Sequence, residues 1–222
     1  LHSNYPNDFE YYSIAFELID HNGTIVDLLL FPILPSSLNI AEQPNTNVKR
    51  SGSGVNVLFN STFQPFNISM SGNFGRRFRF LLGQNDVSGA AFRLNFKKEE
   101  FDNQIKTGYG VTKVLERILK ASIQTDENQR PFKLIFHNMA FNQSHVVEVV
   151  NYSFNQTEQT NMIWNYNMAL RAIAPALFVQ DKEKLKSSLK RLLTVSALQK
   201  SGNALISDGL NDIYASKNSL LR

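Results

Sequence analysis

The stretch 12–31, YSIAFELIDHNGTIVDLLLF, decides the fold that we expect of this chain. Apolar residues alternate with more polar neighbours over 12–18, as in a strand with one buried face. The sequence DHNG at 20–23 then offers a turn in which Asn and Gly can take positive φ, and a second strand begins at Ile25. The pattern predicts a β-hairpin whose second strand, apolar on both sides over 28–31, is buried on two faces.

More strands are expected on either side of one helix. Pro32 and Pro35 remove two backbone donors and end the second strand. Alternating or β-rich segments then predict strands at 36–40, 46–50, 55–60, 66–70 and 164–170, and a second hairpin over 132–139 and 145–154. A symmetric second hairpin would place Phe136 opposite Val149 and His137 opposite Glu148.

An amphipathic helix is expected over 111–123. Apolar residues recur there at i, i+3, i+4, i+7 and i+8 from Val111, with charged residues on the opposite side. Gly108 and Gly110 precede this pattern, so we expect the helix to begin near Val111.

A second helix is expected over 181–199, where the composition becomes charged and leucine-rich after Pro175. Four leucines fall on one face of this helix: Leu185, Leu189, Leu192 and Leu193. Such a stripe requires burial, so we predict that the helix docks on another chain or on the outside of its own β-rich domain. The tail 201–222 is expected to be frayed or dependent on a partner.

This order of elements favours a mainly β fold with one packed α-helix (α+β), arranged as a β-sandwich or a partly open barrel with a C-terminal helical extension. A doubly wound α/β sheet would need strands that alternate with helices. We expect a β-rich domain over 1–180, with a long loop at 73–106, and a helical extension over 181–222. A short strand at 91–96 is expected inside the long loop.

Composition excludes several functional classes. The 222 residues include no cysteine, which excludes a disulfide scaffold, cysteine-ligated zinc and thiol catalysis. The net charge is 23 − 19 = +4, which fits neither an acidic disordered tail nor a nucleic-acid coat. The longest apolar run, 25–34, is too short and too interrupted to span a membrane. The first residues have no signal-peptide pattern, so we expect no export across a membrane. We also expect no membrane partner.

No catalytic, cofactor-binding or metal-binding residue is expected. The chain has no phosphate-loop, nucleophile-elbow or helical zinc motif, and no carboxylate pair that indicates a general acid and base. His137, His145 and Glu148 could form a metal site, but surface cross-strand pairing is the favoured interpretation. Trp164 lies in an alternating segment and is expected in the core.

Arg76, Arg77 and Arg79 alternate with phenylalanines in the long loop. We favour a partner protein, because guanidinium groups bind carboxylates in paired geometry. A solvated loop and single-stranded nucleic acid remain alternatives. These arginines and the four leucines of the second helix are the candidate partner-contact residues.

Two stretches resemble known proteins. LFPILPSSLNI at 30–40 is similar to the strand-then-proline opening of bacteriophage tail and baseplate proteins. WNYNMALRAIAP at 164–175 resembles the closing strand of a tail-protein group of gut phages, known only as a domain of unknown function. The order of elements between them resembles the tail-tube fold. The long loop and the helical C-terminus depart from a minimal tube subunit, which favours a tube initiator, a baseplate or tail adaptor, or a tail terminator.

The resemblance implies a structural ring protein of a virion tail, assembled in the cytoplasm of the host bacterium. In such rings, commonly sixfold, hairpins of neighbouring copies pair around a channel for DNA or the tape measure. Other tail proteins bind above and below. This role requires neither enzyme activity nor a cofactor. A different class remains open, a carbohydrate-binding β-sandwich of a host-recognition appendage, in which Trp164 and the 24 asparagines would contact sugar.

Overall fold

A seven-stranded antiparallel sheet organises the chain. The computed structural model describes residues 13–42, 46–51, 54–59, 63–82, 105–125, 129–157 and 163–220. In chain order the elements are β1 (Ile14–Ile19), β2 (Ile25–Leu30), β3 (Ser37–Ala41), β4 (Thr46–Ser51), β5 (Gly54–Phe59), β6 (Phe66–Asn73), β7 (Arg79–Phe80), β8 (Ile105–Lys106), α1 (Gly108–Ile123), β9 (Lys133–Asn138), β10 (Gln143–Asn155), β11 (Asn165–Pro175), a 3₁₀ turn (Ala176–Phe178) and α2 (Lys182–Leu220).

The strand order in the large sheet is β2-β1-β9-β10-β11-β6-β3, so β2 and β3 are its two edges. β4 pairs with β5 and β7 with β8 in two further ladders. The expected mainly β, α+β fold class is confirmed, and the described strands form an open sheet that does not close into a barrel. The loop expected at 73–106 is entered and left through the β7–β8 ladder, while the strand expected at 91–96 lies outside the described residues.

Helices cover the sheet from both sides. Leu29 and Phe31 join the main core with α1, whereas Leu28 and Leu30 face the other way and pack with α2. The predicted first hairpin and the burial of its second strand on two faces are therefore confirmed. Its turn contains Gly23 at φ 77°, in the left-handed region that glycine adopts without strain.

Helix α1 begins at Gly108, three residues before the expected start at Val111. Thr107 is its N-cap, and its Oγ1 accepts a hydrogen bond from the Gly110 N–H at 3.2 Å. A Cβ on Gly108 would collide with the carbonyl oxygen of Gly75, so the glycine permits a close backbone approach. The glycines that indicated an interruption are thus part of the first turn.

The second predicted hairpin is present as β9–β10, but its predicted register is wrong. Phe136 lies opposite His145 and His137 lies opposite Ser144, because the connecting turn spans only 139–142 and β10 begins at Gln143. Val149 pairs instead with Leu170 of β11. The turn lies earlier in the chain than the predicted register required, so Phe136 and His137 each pair with a β10 residue four positions before the expected one (149 − 145 and 148 − 144).

Helix α2 continues to Leu220, well beyond the expected end at Gln199. Its middle is held by β7 and the residues that follow β7. Asn203 Oδ1 accepts from the Phe80 N–H at 2.8 Å, and Gln199 Oε1 accepts from the Leu82 N–H at 3.1 Å. Gly202 lies directly against the Phe80 ring, where a Cβ would not fit. These long-range contacts, which local sequence does not reveal, extend the helix into the segment expected to fray.

Candidate functional site

A buried polar cluster joins α2 to the centre of the sheet. Glu17 of β1 and His137 of β9 are both fully buried, and Arg191 reaches them from α2. Glu17 Oε1 accepts a hydrogen bond from Arg191 Nη2 at 2.6 Å, and Glu17 Oε2 lies 3.2 Å from His137 Nε2. The two carboxylate oxygens are therefore each occupied by a different partner.

The second ring nitrogen of His137 is also paired. Nδ1 lies 2.8 Å from the Ser144 hydroxyl oxygen. When the ring is neutral, with its proton on Nε2, it donates to Glu17 and accepts from Ser144. Burial alone would raise the pKa of Glu17, but the hydrogen bonds and charges of His137 and Arg191 outweigh burial and lower the pKa below its usual value. The carboxylate is thus held ionised inside the protein.

The chain Ser144–His137–Glu17 has the residue types of a hydrolase triad but not its geometry. In a Ser-His-Asp triad, the serine bonds to Nε2 and the carboxylate to Nδ1, whereas here the two nitrogens are exchanged. His137 has no exposed surface, and Arg191 neutralises the carboxylate. The arrangement fits a contact that fixes α2 on the sheet.

These positions correct two expectations. His137 was expected at the surface, paired with Glu148, but it is fully buried between the sheet and α2. His145 is also not a surface residue, because its ring packs with Phe63 and Phe66 at centroid distances of 5.9 and 5.1 Å. The missed signal is Glu17, a charged residue inside the run 14–19 that is otherwise wholly apolar.

The four leucines proposed for partner contact differ in burial. Leu192 is fully buried beside Val195, whereas Leu189 and Leu193 are half-buried. Leu185 packs near Ile19, Ile135 and Ala176 in a separate small cluster. The buried stripe of α2 therefore includes polar residues that hydrophobic spacing did not identify, namely Ser188, Ser196 and Gln199.

Beyond α2, the same side of the sheet presents small polar side chains to solvent. We call this surface the polar sheet face. Its rows run across four strands as Ser153–Asn167–Ser71–Ser37, Asn151–Ala169–Ser69–Asn39 and Glu148–Arg171–Asn67–Ala41. Most of these residues are exposed, and the only charged pair carries opposite signs. The polar sheet face is thus broad, hydrophilic and without net charge.

The two sheet edges differ in how their backbone groups are satisfied. On β2, the Leu28 N–H donates to Asp27 Oδ1 at 2.9 Å, and the Leu30 carbonyl accepts from Gln199 Nε2 at 3.4 Å. Across the described ranges, β3 pairs with β6 on one side and with no strand on the other. β3 is therefore the edge available for pairing with another chain.

An aromatic pocket opens at the end of the sheet where β6 and β10 finish and β11 starts. We call it the Trp164 pocket. Its cavity is about 430 Å³, lined by Arg76, Thr107, Gly108, Tyr109, Gln156 and Trp164. The Tyr109 and Trp164 rings lie 6.2 Å apart between centroids. Trp164 was expected in the core, but it precedes β11 and is only half-buried at this pocket.

The three candidate arginines lie near one another in sequence but not in one environment. Arg76 lines the Trp164 pocket and Arg77 is exposed, whereas Arg79 is half-buried in β7. Burial, and to a lesser degree the charge of Arg77, lowers the pKa of Arg79. In the part of the chain that the structure describes, no group accepts a hydrogen bond from Arg79 Nε.

The opposite end of the sheet carries exposed apolar side chains. We call it the aromatic end, formed by Phe141, Leu177 and Phe178, which are 72%, 54% and 74% exposed. Phe141 lies in the β9–β10 turn, and Leu177 and Phe178 lie in the 3₁₀ turn after β11. His145 at the start of β10 pairs with Pro175 at the end of β11, which brings both turns to the same end.

Two searches of the described ranges identify no further site. No group of three or more His, Asp and Glu side chains is placed to hold a metal ion in these ranges. None of the helices in them is long and apolar enough to cross a membrane.

Comparisons with known proteins find structural likeness alone. No protein-family model matches the chain, and no curated protein matches it. The chain is similar to a component of the PVC sheath–tube complex, an extracellular contractile injection system in its extended state. That likeness has 12% identity and a TM-score of 0.32, over 77% of this chain and 89% of the other. A component of the PVC sheath/tube terminator, also extended, has 14% identity and a TM-score of 0.31, over 77% and 94%. Likeness this low does not establish a common fold or role.

Proposed function

We propose that this chain is a structural ring component of a phage tail, acting as a tube initiator, an adaptor of the baseplate or tail, or a terminator. The observation that carries the proposal is one open sheet that combines a solvent-exposed polar face with an unpaired edge. Both helices are packed on the same sheet, and within the described ranges the polar face and the β3 edge stay available to other molecules. The tail-protein resemblance of segments 30–40 and 164–175 supports the same role.

The polar sheet face is the surface that would line the channel of the ring. Tight binding of nucleic acid relies on Lys and Arg side chains that neutralise phosphates. The rows of this face contain one arginine, Arg171, and it lies opposite Glu148. Hydroxyl and amide groups would keep the channel wall hydrated without binding a charged polymer tightly, as passage of DNA or a tape measure requires.

The edge strand β3 would join neighbouring copies. Pairing of β3 with a different strand of the next copy, rather than with its β3, gives a head-to-tail contact, and such contacts form a closed ring when the rotation between copies closes. The hairpin β4–β5 continues the chain between β3 and its neighbour β6, and it would extend the paired surface. We propose a sixfold ring, with other tail proteins above and below, in a virion tail assembled in the host cytoplasm.

The test compares two lysine variants on the same row. Asn39 of β3 and Ser69 of β6 lie directly opposite each other and are both exposed. We expect wild type to form rings at high concentration in native mass spectrometry and negative-stain electron microscopy. Asn39→Lys should stay monomeric because edge lysines oppose strand pairing, while Ser69→Lys should still form rings. Rings that survive Asn39→Lys, or a wild type that never oligomerises, would refute the proposal.

This role involves no enzyme chemistry and no cofactor. The Ser144–His137–Glu17 chain is the arrangement closest to a catalytic one, and burial supports a structural role for it. We therefore expect His137→Gln to change the stability of the protein and nothing else, since we expect no enzymatic activity in wild type or in the variant.

Carbohydrate binding is the second candidate, favoured by the position of Trp164 beside Tyr109 at an open pocket. Sugars commonly pack on exposed aromatic rings. A glycan screen with wild type and Tyr109→Ser tests this function. Specific binding lost in the variant would favour the host-recognition role over the ring.

A further inference from the structure

The Trp164 pocket and the aromatic end lie at opposite ends of the same strand. Trp164 directly precedes β11, and Leu177 and Phe178 follow its last residue, Pro175. Eleven residues of strand at about 3.3 Å each separate the two ends by about 35 Å. One molecule therefore presents a cavity at one end and exposed apolar rings at the other.

We propose that the aromatic end of one copy inserts Phe178 into the Trp164 pocket of the next copy, so that copies stack head to tail along the direction of β11. A protruding apolar side chain and a pocket elsewhere on the same molecule produce this kind of open, repeating contact. The proposal rests on the proposed function, because stacking yields a tube only if the copies also form rings.

The chemistry of the two surfaces is complementary. The pocket has aromatic walls from Tyr109 and Trp164 and can pack a phenylalanine edge to face. Arg76 lines the pocket and Arg77 is exposed beside it, whereas the exposed Asp181 follows Phe178 by three residues. The stacked copies would therefore place an acidic group near two basic ones. Phe178 is 74% exposed in its own chain, so insertion into the pocket would bury a ring that is otherwise in solvent.

Two aspartate variants test the contact in the full chain. Phe178→Asp places a charge on the inserting residue, and Tyr109→Asp places one in the pocket. We expect each variant alone to form rings that do not stack, whereas a one-to-one mixture of preformed rings gives stacks of two rings and nothing longer, since only one intact stacking interface remains. Leu205→Asp is the matched control, because Leu205 is 73% exposed on α2 and belongs to neither surface. Circular dichroism confirms that each variant is folded.

A disulfide experiment gives an independent measurement. The chain has no cysteine, so a double variant Gln156→Cys with Leu177→Cys, which retains both Tyr109 and Phe178, contains the only two thiols. A disulfide needs Cα atoms about 4.4–6.8 Å apart, so these two cannot join within one molecule. We expect a ladder of covalent oligomers under oxidation, absent when Leu205→Cys replaces Leu177→Cys. Single monomers after oxidation would overturn the proposal.

The outcomes separate stacking from ring formation. Rings that do not stack in wild type, or stacks unaffected by Phe178→Asp, contradict the insertion and leave the ring intact. Head-to-tail chains without rings contradict the proposed function and retain the insertion. If a glycan binds in the Trp164 pocket and its binding does not alter assembly, the pocket is a sugar site and the insertion is overturned.

Discussion

Helices α1 and α2 pack on opposite faces of one sheet by different means. The face of α1 is apolar, with four fully buried residues: Val111, Leu115, Ile118 and Leu119. On the described part of α2, Leu192 and Val195 are the fully buried apolar residues. Polar contacts also attach α2: Arg191 pairs with Glu17, and the Ser196 hydroxyl lies 2.9 Å from that of Ser13.

The two kinds of packing have different consequences: apolar burial stabilises a helix on the sheet, whereas hydrogen bonds fix where the helix lies. Apolar burial stabilises α1 without specifying direction, since the hydrophobic effect scales with area. The hydrogen bonds of α2 are satisfied only when the helix lies at one register and one rotation. We therefore expect the apolar face of α1 to contribute stability in proportion to its buried area, and the polar contacts both to determine where α2 lies and to be costly when one partner is removed.

The largest effect is expected when the buried charge pair is broken. Arg191→Met leaves the Glu17 carboxylate buried with His137 as its remaining partner, at a cost of about 3–5 kcal/mol. Urea unfolding measures the change. The double variant Arg191→Met with Glu17→Leu should recover much of the loss, because no unpaired charge remains. A single variant as stable as wild type would mean that the pair does not hold α2.

A large but purely apolar loss is expected at α1. Leu115→Ala removes a fully buried side chain and should lower the free energy of unfolding by about 2–5 kcal/mol. Leu189→Ala on α2, where the leucine is half-buried, is the matched comparison and should cost clearly less. Equal losses in the two variants would show that the two helices do not differ as described.

Acid should weaken the α2 attachment more than the α1 face. The folded pKa of Glu17 is below its usual value of 4.5, so its contribution is complete above that pH and is lost as the pH falls through the folded pKa. Urea midpoints of wild type should therefore decline more steeply below pH 4.5 than those of Glu17→Gln. Parallel pH profiles for the two proteins would contradict this role of Glu17.

The smallest effect is expected at the start of α1. Thr107→Ala removes the N-cap acceptor of the Gly110 N–H and should cost about 1 kcal/mol. Thr107→Ser retains the acceptor and is the control. Thermal unfolding of the three proteins measures the difference, and a Ser variant as unstable as the Ala variant would assign the loss to the methyl group.

The sequence predicted the features that repeat locally. The DHNG turn and the alternation around it predicted the first hairpin, and the i, i+3, i+4 spacing from Val111 predicted the buried face of α1. Both patterns arise from apolar burial, which leaves a period in the sequence. The α+β class followed from the order of these elements.

The remaining features depend on contacts between distant residues. Glu17 and His137 are 120 positions apart, so neither strand alone indicates that the pair is buried together. The length of α2 depends on Phe80 and Leu82, more than a hundred positions earlier. The Trp164 pocket is lined in part by Gly108 and Tyr109, the first residues of α1, where sequence propensity placed an interruption.

The polar contacts of α2 also constrain the order of folding during synthesis. Glu17 and Arg191 are separated by 174 residues, which a ribosome adds in about 9–35 s at about 5–20 residues per second. For that time the α2 side of the β1–β2 hairpin, with Leu28 and Leu30, lacks the cover that Leu192 and Val195 of α2 provide. The nascent protein thus exposes part of an apolar sheet face until α2 has been synthesised, which makes its first hairpin a substrate for chaperones before α2 covers it.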